Sequence, residues 1–236
     1  MSPPPNWQTF AHALIDLLYP PRCVACGTAI GWLCPDCQRS IPFVEPPLCP
    51  LCGQSTTAAE LCPSCRAKPL KIDGIRSVGY LEGALQTAIH RFKYSNLRAL
   101  SGPLGRLAAD YLTRYGLPVD TLVPVPLHTS RLRERGYNQA TLLAGEIGAV
   151  TGLPVASETL LRVRSTRPQV GLTAPERRKN VEGAFQCSAS SLKGGSFLLL
   201  DDVCTTGATL EACSIALRSA GAERVWGLTL ARERWR

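Results

Sequence analysis

The chain has 236 residues, 45% of them apolar and 19% charged, with a formal charge of +8. That suits one domain of ordinary size plus a small module. No apolar run approaches the ~18 residues of a membrane-crossing helix, so none is expected. The first basic residue is Arg22, so the N-terminus lacks the basic start of a secretory leader, and a cytoplasmic protein without membrane insertion is expected. The positive charge lies in the middle. Residues 66–119 carry +6 and 120–185 carry +3, against −2 for 1–65 and +1 for 186–236. Such a surface suits phosphates or nucleic acid, and it equally serves solubility alone.

Eight of the eleven cysteines form four C-x-x-C pairs: Cys23/Cys26, Cys34/Cys37, Cys49/Cys52 and Cys62/Cys65. In a cytoplasmic chain this density predicts zinc in preference to disulfides. Two knuckles complete a tetrahedron, and with every position filled by protein the metal is structural. Sequential pairing is expected, with Cys23, Cys26, Cys34 and Cys37 on one zinc and Cys49, Cys52, Cys62 and Cys65 on the other; interleaving is the alternative. The segment has few large apolar residues, so metal binding supplies its folding energy. Each tetrathiolate zinc centre carries −2, which brings residues 1–65 to −6 and argues against this module as the main nucleic-acid grip. Cys187, Cys204 and Cys213 are unpaired and read as small apolar residues. Residues 1–68 are taken as an N-terminal helix and the ribbon module, and 69–236 as a second domain.

That second domain alternates strands and helices. "KPLKIDGIRSVGYLEG" leads into a strand. "ALQTAIHRFKYSN" spaces Leu85, Ile89 and Phe92 as a helix. "LSGPLGRLAADYLTRYG" is a second helix, ended by Gly116. "DTLVPVP" is a short strand, and "NQATLLAGEIGAVTG" a helix. Residues 161–185 show no clear period and read as a long, partly mobile loop with a return strand. "GSFLLL" is a strand, "TLEACSIALRSAG" a helix with Leu210, Cys213 and Leu217 on one face, and "ERVWGLTLA" a last strand. The alternation predicts an α/β domain with a mainly parallel sheet.

The most informative stretch is "SFLLLDDVCTTGATLEA", residues 196–212. An apolar strand ends in two carboxylates, Asp201 and Asp202, and ligands of open parallel sheets sit at strand ends. Thr205, Thr206, Gly207, Ala208 and Thr209 then open a helix, whose free N–H groups attract an anion. A ligand with a phosphate at one end and hydroxyls at the other, such as a ribose 5-phosphate, matches both parts. The plainer alternative is a strand followed by an Asp cap and a tight turn.

This run resembles the phosphoribosyl diphosphate (PRPP) motif of type I phosphoribosyltransferases. With the C-x-x-C ribbons, "HRFKY" (90–94), "VPVPLHTSRLRERGYNQA" (123–140) and "LRVRSTRPQVGLTAPERRKNVEGAF" (161–185), the chain from about residue 17 to 231 resembles the ComF (ComFC/GntX-like) family. The resemblance implies a phosphoribosyltransferase-type sheet behind a double zinc ribbon. It also implies a part in natural transformation or DNA metabolism. Asp201 and Asp202 are then the catalytic pair on the ribose hydroxyls, and residues 205–209 hold the 5-phosphate. Arg131, Arg133, Arg135 and Gly136 are candidates for the pyrophosphate, Arg135-Gly136 being the best placed; the alternative is a solvated basic face. Lys93 is a weaker candidate. Residues 162–180 are the expected flap, with Arg164, Arg167, Arg177 and Arg178 serving it or a nucleic-acid groove. Implied cofactors are two structural zinc ions, and magnesium with PRPP. Two functions are expected in competition. One is a transferase moving ribose 5-phosphate from Mg-PRPP to an unidentified base. The other is a non-catalytic PRPP sensor that binds single-stranded DNA or a competence helicase.

Overall fold

The computed structural model describes residues 20–167, 171–188, 192 and 194–234. The expected N-terminal helix falls outside the described residues.

The ribbon module repeats one local device. Helix α1 (Pro35–Arg39) and helix α2 (Pro63–Ala67) each begin with proline directly after a cysteine, Cys34 and Cys62. Proline lacks the N–H that a first helical residue cannot pair and has its φ already set, so each C-P-x-C run turns at once into a helix. The turn brings both cysteines of the pair to one side. The sulfurs of Cys23, Cys26, Cys34 and Cys37 lie within 4.8 Å of one another, as do those of Cys49, Cys52, Cys62 and Cys65. The pairing is sequential, as expected.

The second domain is α/β. Strands β1 (Gly74–Tyr80), β2 (Thr121–Pro124), β5 (Ser196–Cys204) and β6 (Arg224–Arg232) form one parallel sheet in the order β1-β6-β5-β2. Between them run helices α3 (Gly83–Tyr94), α4 (Ser101–Tyr115), α5 (Thr129–Arg135), α6 (Gln139–Thr151) and α8 (Ala208–Ser219). Alternate residues of a strand face opposite sides, so each strand feeds two cores. Leu198, Leu200, Leu228 and Leu230 meet Leu85, Ile89 and Phe92 of α3, Leu104 of α4 and Leu143 and Ile147 of α6. Phe197, Leu199, Val123 and Val225 meet Leu210, Cys213 and Leu217 of α8. Helix α4 stops at Gly116, as its sequence predicts.

Two expectations need correction. The expected loop at 161–185 is interrupted by a helix, and its return strand has a partner. Strand β3 (Leu160–Arg162) pairs antiparallel with β4 (Phe185–Cys187), and helix α7 (Ala174–Val181) lies between them. The helix starts at a capping box, in which Glu176 accepts the Thr173 N–H at 2.7 Å. It is tied down by Arg178 to Glu211 at 3.7 Å and Arg177 to Glu233 at 3.8 Å. The second is α5, a helix in the stretch left unassigned between the expected strand "DTLVPVP" and the expected helix "NQATLLAGEIGAVTG".

Candidate functional site

Strand β5 sets the site. Its neighbour β2 is short and pairs only as far as Leu200, whereas β6 stays paired through Cys204. Asp201 and Asp202 therefore belong to the strand on the β6 side and lie beyond the sheet's end on the β2 side. Successive side chains alternate, so the two carboxylates leave β5 on opposite faces. Asp202 turns toward α3, where Lys93 Nζ lies 2.7 Å from its Oδ1, with both side chains largely buried. Asp201 turns toward α8 and β3, where Cys213 and Arg162 are its electrostatic neighbours. Its Oδ1 also accepts the Asp202 N–H at 2.8 Å.

These surroundings shift the ionisable groups. Burial, reinforced by the adjacent Asp202 carboxylate, raises the Asp201 pKa to about 7. Burial works against the charged form of Lys93, but Asp202, and Asp201 beyond it, more than offset this, and its pKa is raised. Burial lowers the Arg162 pKa, and the nearby Arg131 lowers it further. Burial pushes the Cys204 thiol up to about 11 and that of Cys213 well above its ordinary value, so neither is a nucleophile at neutral pH.

The loop after β5 is shaped by Gly207. Its φ is +78°, and a Cβ there would lie 2.8 Å from Ile75 Cδ1. Only glycine meets both conditions without strain. The chain then enters α8, with Thr206 Oγ1 accepting the Ala208 N–H at 3.4 Å. The N-terminal turn of this helix opens beside Thr205, Thr206 and Thr209.

The basic stretch between β2 and α6 is assembled less directly. The Val125 N–H bonds the Leu200 carbonyl at 2.9 Å, and Asn138 Nδ2 bonds that of Val125 at 3.0 Å, which holds the turn between β2 and α6. Of the predicted arginines, Arg131 is half-buried beside Arg162, and Arg133 is exposed on α5. Arg135 lies over the exposed Tyr94 ring at 5.3 Å and bonds Gln139 at 3.0 Å. Gly136 follows α5, and its carbonyl accepts from Arg98 at 3.0 Å. Arg98 also lies over Tyr137 at 4.9 Å, and the Tyr137 hydroxyl bonds the Phe92 carbonyl. Thus Lys93, Asp201 and Asp202 come together, whereas Arg133 and Arg135 lie on a flanking basic and aromatic surface. Arg164 bonds the backbone carbonyls of Asn180 and Glu182, at 3.1 and 2.5 Å, and so braces the β3–β4 unit.

Sequence reasoning overlooked Arg162 as a site residue. Its Nε is buried without a hydrogen-bond partner, and its guanidinium lies over Phe185 at 5.2 Å. No local signal marks it, because its place depends on the β3–β4 pairing. Helix α7 did carry a signal, the Thr-Ala-Pro-Glu run at 173–176.

The cysteine clusters fit zinc. Cys26 and Cys34 sulfurs stand 3.6 Å apart, as do those of Cys52 and Cys62. This is near the ~3.8 Å edge of a tetrahedron with ~2.3 Å zinc–sulfur bonds, and far from the ~2.05 Å of a disulfide. The Cys34 N–H also points at Cys23 Sγ, at 3.4 Å. Among the described residues no helix is long and apolar enough to cross a membrane.

Comparison with known proteins bears on the ribbon and on the chain as a whole. Residues 14–66 match the double zinc ribbon domain family. Competence protein F of Haemophilus influenzae is 34% identical over 89% of this chain and 97% of its own length. DNA utilization protein YhgH of Escherichia coli K12 is 33% identical, over 90% and 98%. Competence protein ComFC of Bacillus subtilis is 27% identical, over 85% and 84%. A purine phosphoribosyltransferase from Pyrococcus horikoshii overlaps 57% of this chain and 85% of its own with a TM-score of 0.32 and 16% identity, too partial a likeness to carry weight. The near end-to-end match to competence protein F, with the two four-cysteine clusters and the four-stranded parallel sheet, makes this chain a member of the ComF/YhgH family, with a double zinc ribbon on an α/β domain.

Proposed function

We propose that the domain from residue 69 onward binds Mg-PRPP and transfers its ribose 5-phosphate to a nitrogenous base. The observation that carries this reading is the run from Asp201 to Thr209: a carboxylate pair past the end of β2, a glycine-shaped loop and a helix N-terminus. The 5-phosphate sits on the N–H groups and hydroxyls of residues 205–209. Asp201 and Asp202 take the ribose hydroxyls, directly or through metal-bound water, and Lys93 passes from Asp202 toward the diphosphate. Arg131 and Arg162 face the diphosphate, and Arg135-Gly136 border it. A ring nitrogen of the base forms the new bond to C1 and loses its proton. The C1–O bond breaks, and its electron pair leaves with pyrophosphate. Magnesium carried in with the substrate would neutralise charge on the leaving group. The fixed cations around the departing oxygens supply most of the rate enhancement.

Phosphorus NMR of Mg-PRPP with the protein and a pool of bases tests this. Pyrophosphate released by the wild type and not by Asp201→Asn/Asp202→Asn is the expected result, and the consumed base names the acceptor. No release with any base rejects turnover.

A second reading is favoured by the surface beside the site, where Arg135 lies over Tyr94, His90 lies 4.9 Å from the same ring, and Arg98 lies over Tyr137. Alternating cations and rings suit single-stranded nucleic acid. The names of the relatives, competence and DNA utilization proteins, support a place in DNA uptake. On this reading PRPP is sensed and the chain holds single-stranded DNA or a partner helicase. Oligonucleotide binding that weakens steeply with salt and responds to Mg-PRPP is expected; salt-independent binding rejects it.

A further inference from the structure

The two ribbons share a ligand set and differ in their surroundings. The turn from Cys49 to Gln54 in the second ribbon is gripped on successive carbonyls by the α/β domain. Arg76 donates to the Pro50 carbonyl at 3.0 Å, the Ile75 N–H to that of Leu51 at 2.8 Å, and Arg232 to that of Cys52 at 2.8 Å. A second nitrogen of Arg232 donates to Gln54 Oε1 at 2.8 Å. Gly53 permits this approach, because a Cβ there would lie 2.3 Å from the Ile75 carbonyl oxygen.

Arg232 is only 1% exposed, and its Nε has no partner. Arg76 is half-buried, with its guanidinium over Trp226 at 5.1 Å. Among the described residues neither pairs with a carboxylate. Neutral acceptors alone do not balance a buried cation; an unpaired one costs several kcal/mol. The anion at hand is the cluster of Cys49, Cys52, Cys62 and Cys65, whose four thiolates carry a net −2 with zinc. The first ribbon is different. Cys26 is exposed, Arg22 is exposed and reaches only the Gly27 carbonyl at 3.3 Å, and Arg39 is spent on Asp36 at the surface.

We propose that Arg232 and Arg76 are the counter-charges of the second zinc centre, and that they make its zinc the inert one of the two. Loss of that metal weakens the negative charge beside two guanidinium groups, so the cations resist its departure. The same contact ties the second zinc to the end of β6, where Arg232 pairs in register with Cys204 of β5. Cys23 and Cys34 are buried against the main core, but among the described residues no guanidinium grips the first ribbon's turn in this way, and its zinc is the exchangeable one.

The test is zinc release from the full chain to the chromophoric chelator 4-(2-pyridylazo)resorcinol, with Cys26→Ser marking the phase that belongs to the first ribbon. Wild type should lose one zinc quickly and one slowly. Arg232→Met and Arg76→Met should each speed the slow phase by about 10–100-fold, the usual scale for partners just outside a metal's ligands, and leave the fast phase alone. Arg232→Lys, which keeps the charge, should fall between. If Arg232→Met fails to fold, the half-buried Arg76 decides through Arg76→Met. One common rate for both wild-type zincs overturns the proposal. So does an unchanged slow phase in Arg76→Met, or equal acceleration of both phases.

Discussion

The two halves of the candidate site are built by opposite means. The half proposed for ribose 5-phosphate comes from one unbroken run, Asp201 to Thr209, where a strand ends and a helix begins. The half proposed for diphosphate is gathered from far apart: Lys93 on α3, Arg131 on α5 and Arg162 on β3. A contiguous half takes its shape from local rules, namely a strand end, a left-handed glycine and free helix N–H groups. A dispersed half exists only once the sheet, α3 and the β3–β4 unit have packed. The ion pair between Lys93 and Asp202 is the stitch between them.

The largest expected effect comes from cutting that stitch. Lys93→Met leaves Asp202 in a largely buried place without its cation, and should lower stability by about 3 kcal/mol, read by urea unfolding. An unchanged midpoint would mean that the two halves fold independently. Next is Gly207→Ala, which strains the backbone and drives a methyl into Ile75. It should lower stability by about 1–3 kcal/mol and weaken phosphate binding, and it sharpens the comparison because it touches the contiguous half alone.

A further effect is set by pH. The Asp201 carboxyl has a pKa raised from 3.8 to about 7. Between those values the folded chain keeps a proton that the unfolded chain has lost, so this group makes stability fall as pH rises through the window. Asn at 201 never ionises. Asp201→Asn should therefore gain nothing over wild type at about pH 4 and gain steadily as pH rises toward about 8, read as melting temperature across pH. A gain that does not vary with pH would place the carboxyl in solvent. The smallest effect is expected for Arg135→Ala at the flanking surface. Losing the contact with Tyr94 should cost under about 1 kcal/mol of stability and leave the Lys93–Asp202 pair intact.

This contrast also explains what the sequence made legible. The cysteine pairs were readable with their pairing, because two-residue spacing and a following proline act within a single turn. The turn from β5 into α8 was readable for the same reason, and so were the long helices with apolar residues at 3.6-residue spacing. Arg162 was not, since only the antiparallel pairing of Arg162 with Phe185 sets it beside Asp201. Lys93 was legible only as a weaker candidate for the pyrophosphate. It is a buried partner because α3 packs against the end of β5, and nothing within "HRFKY" reports that distance. Helix α7 was missed although its capping box was in plain view, because its charged sequence has almost no apolar face.

The central claim is that the run from Asp201 to Thr209 holds ribose 5-phosphate. Calorimetric titration of the zinc-loaded protein with Mg-PRPP tests it most directly. One site per chain is expected, with affinity reduced by at least about 100-fold in Asp201→Asn/Asp202→Asn, the scale of two lost charge-assisted hydrogen bonds. Equal binding by wild type and variant, or no binding by wild type, would contradict it.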